Sequence, residues 1–309
     1  MSLIDRLFLK SGQLELLISK LNLLQANLGR VQEALGRVET RQLRVEDEPR
    51  LQGNEFRVFS QWGEDGIIQF LIARLNIRHR IFVEFGVENY LESNTRFLLT
   101  HNGWSGLVMD GSEENIRYIR NDPLYWQYNL KAVHAFVTAE NVNSLLVENG
   151  VRGEIGLLSI DIDGNDYWVW KALEVVQPAL VAIEYNFRFG KDRAVTIPYA
   201  KHFIRQKAHF SGIYYGASLK ALCLLAQRKG YAFVGCNSAG NNAFFVRRDL
   251  KREEILEVTV EEGYVAGQFR ESRDQQGKLA YLSPEEEKEI LVSLPLVDVE
   301  REEGLNPGL

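Results

Sequence analysis

The stretch Leu157-Leu158-Ser159-Ile160-Asp161-Ile162-Asp163-Gly164-Asn165-Asp166 limits the possible folds more than any other part of the chain. An apolar run bounded by Gly156 and Gly164 reads as a strand buried on both faces, which a mostly parallel sheet covered by helices provides. The run delivers three carboxylates into one turn. Open α/β sheets place ligand sites just beyond the carboxyl ends of such strands. Grouped acids repel one another, and burial raises their pKa values. A cation, a polar ligand or a proton-transfer task is the expected compensation.

From about Arg57 to Arg248 the pattern alternates strand and helix. Strands are expected at Ile81–Phe85, Gly106–Asp110, Ala132–Val137, Leu157–Asp161, Leu180–Glu184, Tyr231–Gly235 and Ala243–Val246. Asn141 suits the start of a helix stopped by Gly150, and Gly230 suits the end of one containing Leu219–Lys229. Only a Gly/Asn/Ser loop separates the last two strands, so they read as an antiparallel hairpin. The expected fold class is α/β, a doubly wound Rossmann-like sheet with an antiparallel C-terminal hairpin.

An amphipathic helix to about Val45 precedes it. Leu7, Leu14, Leu21, Leu28 and Leu35 recur at one heptad position, and Lys10, Leu17, Leu24, Val31, Val38 and Val45 recur three residues later. This predicts a coiled coil, self-associating through residues 3–45. Leu at a with Val at several d positions favours a trimer or tetramer over a dimer. Gly29 and Gly36 are expected on the outer face, weakening the helix by roughly 1 kcal/mol each. The expected organisation is a helix over 1–48, a domain over 49–249 and an acidic extension over 250–309 that packs on or caps it.

Residues 251–309 carry 15 Asp/Glu against 7 Lys/Arg, while the whole chain has a net charge of −6. Such a tail should avoid nucleic acid and anionic membranes. Cys223 and Cys236 lack metal-type spacing and read as buried, reduced thiols. No signal-peptide pattern and no apolar run of spanning length is evident, so a soluble, cytoplasmic protein is expected.

Glu84-Phe85-Gly86-Val87-Glu88 ends the first strand, and the acid followed by glycine suits a turn where backbone approaches a ligand or simply bends. The dinucleotide glycines are missing, and a cationic amino or sulfonium group would suit Glu84 and Glu88 better than a pyrophosphate. Asp110 ends the second strand 26 residues after Glu84 and could accept ribose hydroxyls, or belong to a helix start with Ser112. Asp161, Glu184 and Asn186 offer the hard oxygens that Mg²⁺ or Mn²⁺ prefers. Asp161 and Glu184 are equally candidates for a general base, with Asp163 a further catalytic candidate, and Asp166 for a helix cap. His209, in a Lys/His/Tyr-rich stretch, is a further candidate base, with a plain surface histidine as the alternative. Arg270, Glu271, Arg273 and Asp274 read as a salt-bridged surface patch.

Together, Ser60-Gln61-Trp62-Gly63-Glu64-Asp65, Val83-Glu84-Phe85-Gly86 and Ile160-Asp161-Ile162-Asp163-Gly164 resemble the FkbM-type class I S-adenosylmethionine-dependent methyltransferases over roughly residues 57–248. Glu88 and Asn89 depart from the glycine-rich half of that family's cofactor turn. The resemblance implies a methyltransferase sheet with Gln61, Glu84, Gly86, Glu88 and Asp110 on the S-adenosylmethionine side. It further implies methyl transfer to a hydroxyl of a sugar, glycan or other small polar acceptor, with divalent-metal assistance as one reading of the acids. The competing expectation is a non-catalytic interaction module, a degenerate methyltransferase fold displayed on a coiled coil.

Overall fold

The computed structural model describes residues 3–43 and 48–302, with side chains from residue 13. Seven strands form one sheet: β1 (Ile81–Phe85), β2 (Ser105–Asp110), β3 (Leu130–His134), β4 (Gly153–Ile160), β5 (Val176–Glu184), β7 (Tyr231–Cys236) and β8 (Asn242–Arg247), in the order β3-β2-β1-β4-β5-β8-β7. The first five are parallel, and β8 runs antiparallel to both β5 and β7. This is the expected doubly wound α/β sheet with an antiparallel hairpin at one edge. A separate two-stranded ribbon joins β6 (Val195–Thr196) to β9 (Val297–Asp298), tying the chain's last part to the loop after β5.

Alternation along the strands sorts the core into two layers. Val83, Phe85, Leu107 and Met109 enter the layer that also holds Trp170, Leu222 and Phe245. Phe82, Val108, Leu157 and Leu180 enter the other, with Ile67, Phe70 and Ile116. Helices α2 (Glu64–Arg74), α3 (Arg96–Thr100), α4 (Glu113–Asn121), α5 (Pro123–Gln127), α6 (Val142–Glu148), α7 (Asp166–Ala172), α8 (Arg205–Ala208) and α9 (Leu219–Arg228) connect or flank the strands. Register sets Phe85 beside Met109 and Ile160, and Ile160 beside Ile183. The carboxyl ends of β1, β2, β4 and β5 therefore lie at one level, and their loops face a common space.

Two expectations are corrected here. The third strand is Leu130–His134 rather than Ala132–Val137, because Ala135 bonds back to Asp110 and the chain then turns away. On helix α1 (Leu3–Gln42) a Cβ at Gly29 would meet nothing within 4 Å, as expected of an outer face, but Gly36 is buried. A Cβ at Gly36 would lie 2.4 Å from Val58 Cγ2, so this glycine lets the helix close onto the domain. Gln32 donates to the Val58 carbonyl on the same side, and Thr40 and Leu43 are buried there. Among the described residues no helix is long and apolar enough to cross a membrane.

Candidate active site

The strand ends surround an open cavity of about 500 Å³, lined by Gln61, Glu84, Gly86, Glu88, Asp110, Asp161, Asp163 and Glu184 among others. That size suits one drug-sized ligand or a cofactor with a small acceptor. Gly86 (φ 76°) shows how tightly the loops meet: a Cβ there would lie 1.6 Å from the Asp161 carbonyl oxygen. The close approach that glycine permits is thus to the loop after β4, not to a ligand.

Glu84 is buried, and its oxygens are taken. It accepts hydrogen bonds from Ser93 Oγ at 2.6 Å, Thr95 Oγ1 at 2.5 Å and the Asn94 N–H at 2.9 Å. Burial raises its pKa, and these donors pull it back. Its role in this structure is to fold the loop after β1 over the sheet. Asp110 does related work while facing the cavity. It accepts from the Glu88 and Ser112 N–H groups, both at 2.8 Å, and from Asn115 Nδ2 at 3.0 Å. A carboxylate has about four lone-pair positions, so capacity for a ligand hydroxyl remains.

The motif at residues 60–65 positions Gln61 and Trp62 on the cavity wall. Asp65 Oδ2 accepts from the N–H groups of Val58, Phe59 and Ser60 at 2.7–2.8 Å. Burial pushes the Asp65 pKa up to about 6. Glu64 accepts from Asn237 and Asn242 in the hairpin, joining this loop to β8.

At the ends of β4 and β5, Asp161, Asp163 and Glu184 bring one oxygen each within 4.8 Å of one another. Burial raises the Asp161 and Glu184 pKa values well above their ordinary values; the charge of Asp163 adds to both, and that of Asp161 adds to Glu184. Glu184 Oε2 is buried without a hydrogen-bond partner. Asp163 sits in left-handed backbone (φ 55°), held by Arg205 Nη1 at 2.7 Å. Three converging carboxylates with an orphaned buried oxygen fit a hard divalent cation. Asp166 is not a side-chain helix cap as expected. It accepts from the Ile162 and Gly164 N–H groups at 2.8 and 2.9 Å, fixing the acid-bearing turn, and burial pushes it up to about 6.

Asn186 and His209 lie apart from this group. Asn186 is fully buried, donates to the Ile213 and Tyr215 carbonyls and accepts from the Arg188 N–H, so its amide is committed to the loop architecture. Asp163 supplies the third oxygen that had been expected of it. His209 does not line the cavity; its Nδ1 lies 2.7 Å from Ser211 Oγ and its ring packs on Phe210.

Other lining residues come from segments without a local motif. Phe136 lines the wall beside Asp110, and Phe203 and Arg205 lie beyond β5. The acidic extension contributes Phe269, stacked on Trp62 at 5.8 Å, and Glu271. Glu271 is not part of a surface patch. Its Oε1 accepts from Arg205 Nη2 at 2.5 Å and from the buried Arg188 Nη1 at 3.2 Å, while Arg188 Nε reaches Glu287 at 2.9 Å. Glu287 lies on α11 (Pro284–Val292), which follows the one-turn α10 (Val260–Gly263).

No protein-family model matches the sequence, and no curated protein matches it. Among solved structures, the chain is similar to the N-terminal domain of EvdMO1 with SAH bound, at 12% identity and a TM-score of 0.40, over 68% of this chain and 94% of that one. It is similar to the O-methyltransferase from Bacillus cereus in complex with SAH at 15% identity and a TM-score of 0.34, over 54% and 72%. An S-adenosylmethionine-dependent methyltransferase from Clostridium acetobutylicum ATCC 824 shares 11% identity at a TM-score of 0.38, over 59% and 89%. These likenesses are distant, and the chemistry rests on this chain's own residues.

Proposed function

We propose that this chain is an S-adenosylmethionine-dependent O-methyltransferase of FkbM type, acting on a hydroxyl of a sugar, glycan or other small polar acceptor. The observation that carries the reading is one cavity of about 500 Å³ shared by Asp110 and the Asp161–Asp163–Glu184 cluster. When bound, the cofactor would supply an electrophilic methyl carbon. Asp110, at the end of β2, has the acceptor capacity to take ribose hydroxyls. The exposed ring of Phe136 beside it suits an aromatic base.

The acceptor hydroxyl must lose its proton. Asp161, Asp163 and Glu184 would hold Mg²⁺ or Mn²⁺, which lowers the pKa of a bound hydroxyl. Without a metal, Asp161 or Glu184, whose pKa values burial raises, would take that proton as a general base. Either way, holding the acceptor against the methyl carbon supplies much of the rate. Arg205 and Glu271 narrow the side of the cavity next to the acids and favour a polar acceptor there.

Calorimetry with S-adenosylhomocysteine tests the cofactor: micromolar binding that weakens at least tenfold in Asp110→Ala is expected. Absence of binding at high micromolar ligand would remove the proposal. Activity unchanged by EDTA would leave the acids as bases and exclude the metal.

A further inference from the structure

We infer that α1 is an assembly helix whose exposed seam is covered by further copies of this chain. Two different faces of the helix do different jobs. Gly36, Thr40 and Leu43 pack it onto the domain, through Val58 and Phe97. The other side carries Leu14, Leu17, Leu21, Leu24, Leu28, Val31, Leu35 and Val38, spaced alternately three and four residues apart. Each of these side chains remains 48–60% exposed. Leu7, Lys10 and Val45 of the same repeat lie outside the described side chains.

Every residue from 13 to 28 is exposed, so among the described residues nothing covers this half of the helix. A lone helix of this kind is marginal in water, and most helical stability comes from packing an apolar face. The seam repeats every 3.5 residues, which is the period of a helix meeting other helices rather than a flat surface. Eight half-exposed aliphatic side chains amount to on the order of 700–800 Å² per copy, close to the ~800 Å² per partner of a standard stable interface.

A second copy fits better than a membrane surface. The polar positions are mixed, with Glu15, Glu33 and Glu39 set against Lys20, Arg30, Arg37 and Arg41, whereas interfacial helices concentrate Lys and Arg. Of the flanking positions, Gln13, Ile18, Gln25, Asn27, Gln32 and Ala34 are uncharged, and the charged ones, Lys20, Glu39 and Arg41, include both signs. Leu16, Ile18 and Leu23 widen the apolar surface in the amino-terminal half beyond a two-stranded seam. That width favours three or four helices.

The test is the mass of the full chain by sedimentation at tens of micromolar. The expected result is at least twice the 35.4 kDa of one chain, falling to 35.4 kDa in Leu21→Arg/Leu28→Arg. Ser19→Arg/Ala26→Arg, off the seam, should keep the assembled mass. Far-UV circular dichroism and the domain's thermal transition confirm that each variant is folded. A monomeric wild type, an assembled seam variant, or a monomer that pellets with anionic phospholipid vesicles would each overturn the inference.

Discussion

Substituting Glu184→Gln should stabilise the ligand-free protein and abolish its stabilisation by a divalent cation. The carboxylate oxygens of Asp161, Asp163 and Glu184 lie within 4.8 Å of one another. Two unit charges at that separation repel by about 3 kcal/mol at an effective dielectric constant of about 20. The fold responds by raising the Asp161 and Glu184 pKa values, chiefly through burial and then through the neighbouring carboxylates, Asp163 acting on both. Carboxyls raised in the folded state stabilise while protonated, and that contribution is lost as pH climbs above the ordinary carboxylate range towards the raised values. Glutamine keeps the shape, removes one charge and offers a donor to Asp161. At pH 8 the variant should gain about 1–3 kcal/mol, or roughly 2–8 °C in Tm. The gain should shrink towards zero near pH 5, where the wild type already holds the protons. Adding Mg²⁺ should raise the Tm of the wild type alone. Differential scanning fluorimetry across pH, with and without metal, reads both effects. A variant less stable at pH 8, or a difference independent of pH, would refute the reasoning.

Asp65 and Asp166, each pushed up to about 6, should lose roughly 3 kcal/mol apiece as pH rises from about 4 to above 6, an effect visible in urea midpoints of Asp65→Asn and Asp166→Asn against wild type across that range. Asp65→Ala should cost about 3 kcal/mol or more by stranding the N–H groups of Val58, Phe59 and Ser60, and chemical denaturation measures it. Gly86→Ala places a Cβ on the Asp161 carbonyl in left-handed backbone, so a loss of about 2–4 kcal/mol and weaker metal-induced stabilisation are expected by the same fluorimetry. Glu271→Gln leaves Arg188 and Arg205 short of a shared anion, and a loss of about 2–4 kcal/mol in thermal stability is expected.

The sheet was legible because each central strand is a short apolar run ending in a polar turn. Edge strand β3 was displaced because its own pattern, Leu130-Lys131-Ala132-Val133-His134, is half exposed and less apolar than the Ala135–Val137 segment beyond it. The acids at 84, 110, 161, 163 and 184 share the cavity because parallel strands in register end level, which sequence order alone suggests. Asn186 misled because two residues beyond Glu184 it would share that face in a continuing strand. The chain instead turns, with Tyr185 bonded to Asn241 and Asn186 to Ala217. Arg205, Phe269 and Glu271 carried no local signal, since only long-range packing brings them to the wall. The heptad period of α1 was plain, but the use of Gly36 depended on which side of the helix meets the domain.

The extension beyond β8 bears on the order in which the molecule is made. The last sheet strand ends at Arg247, yet Phe269 and Glu271 wall the cavity, and the buried Arg188 draws one carboxylate from residue 271 and another from residue 287. During synthesis the sheet can close tens of residues before these partners leave the ribosome. Until then Arg188 lacks both of its carboxylate partners, Arg205 keeps only Asp163 of its two, and the cavity has one open side. The seven-stranded sheet is therefore synthesised before the residues that wall one side of the cavity.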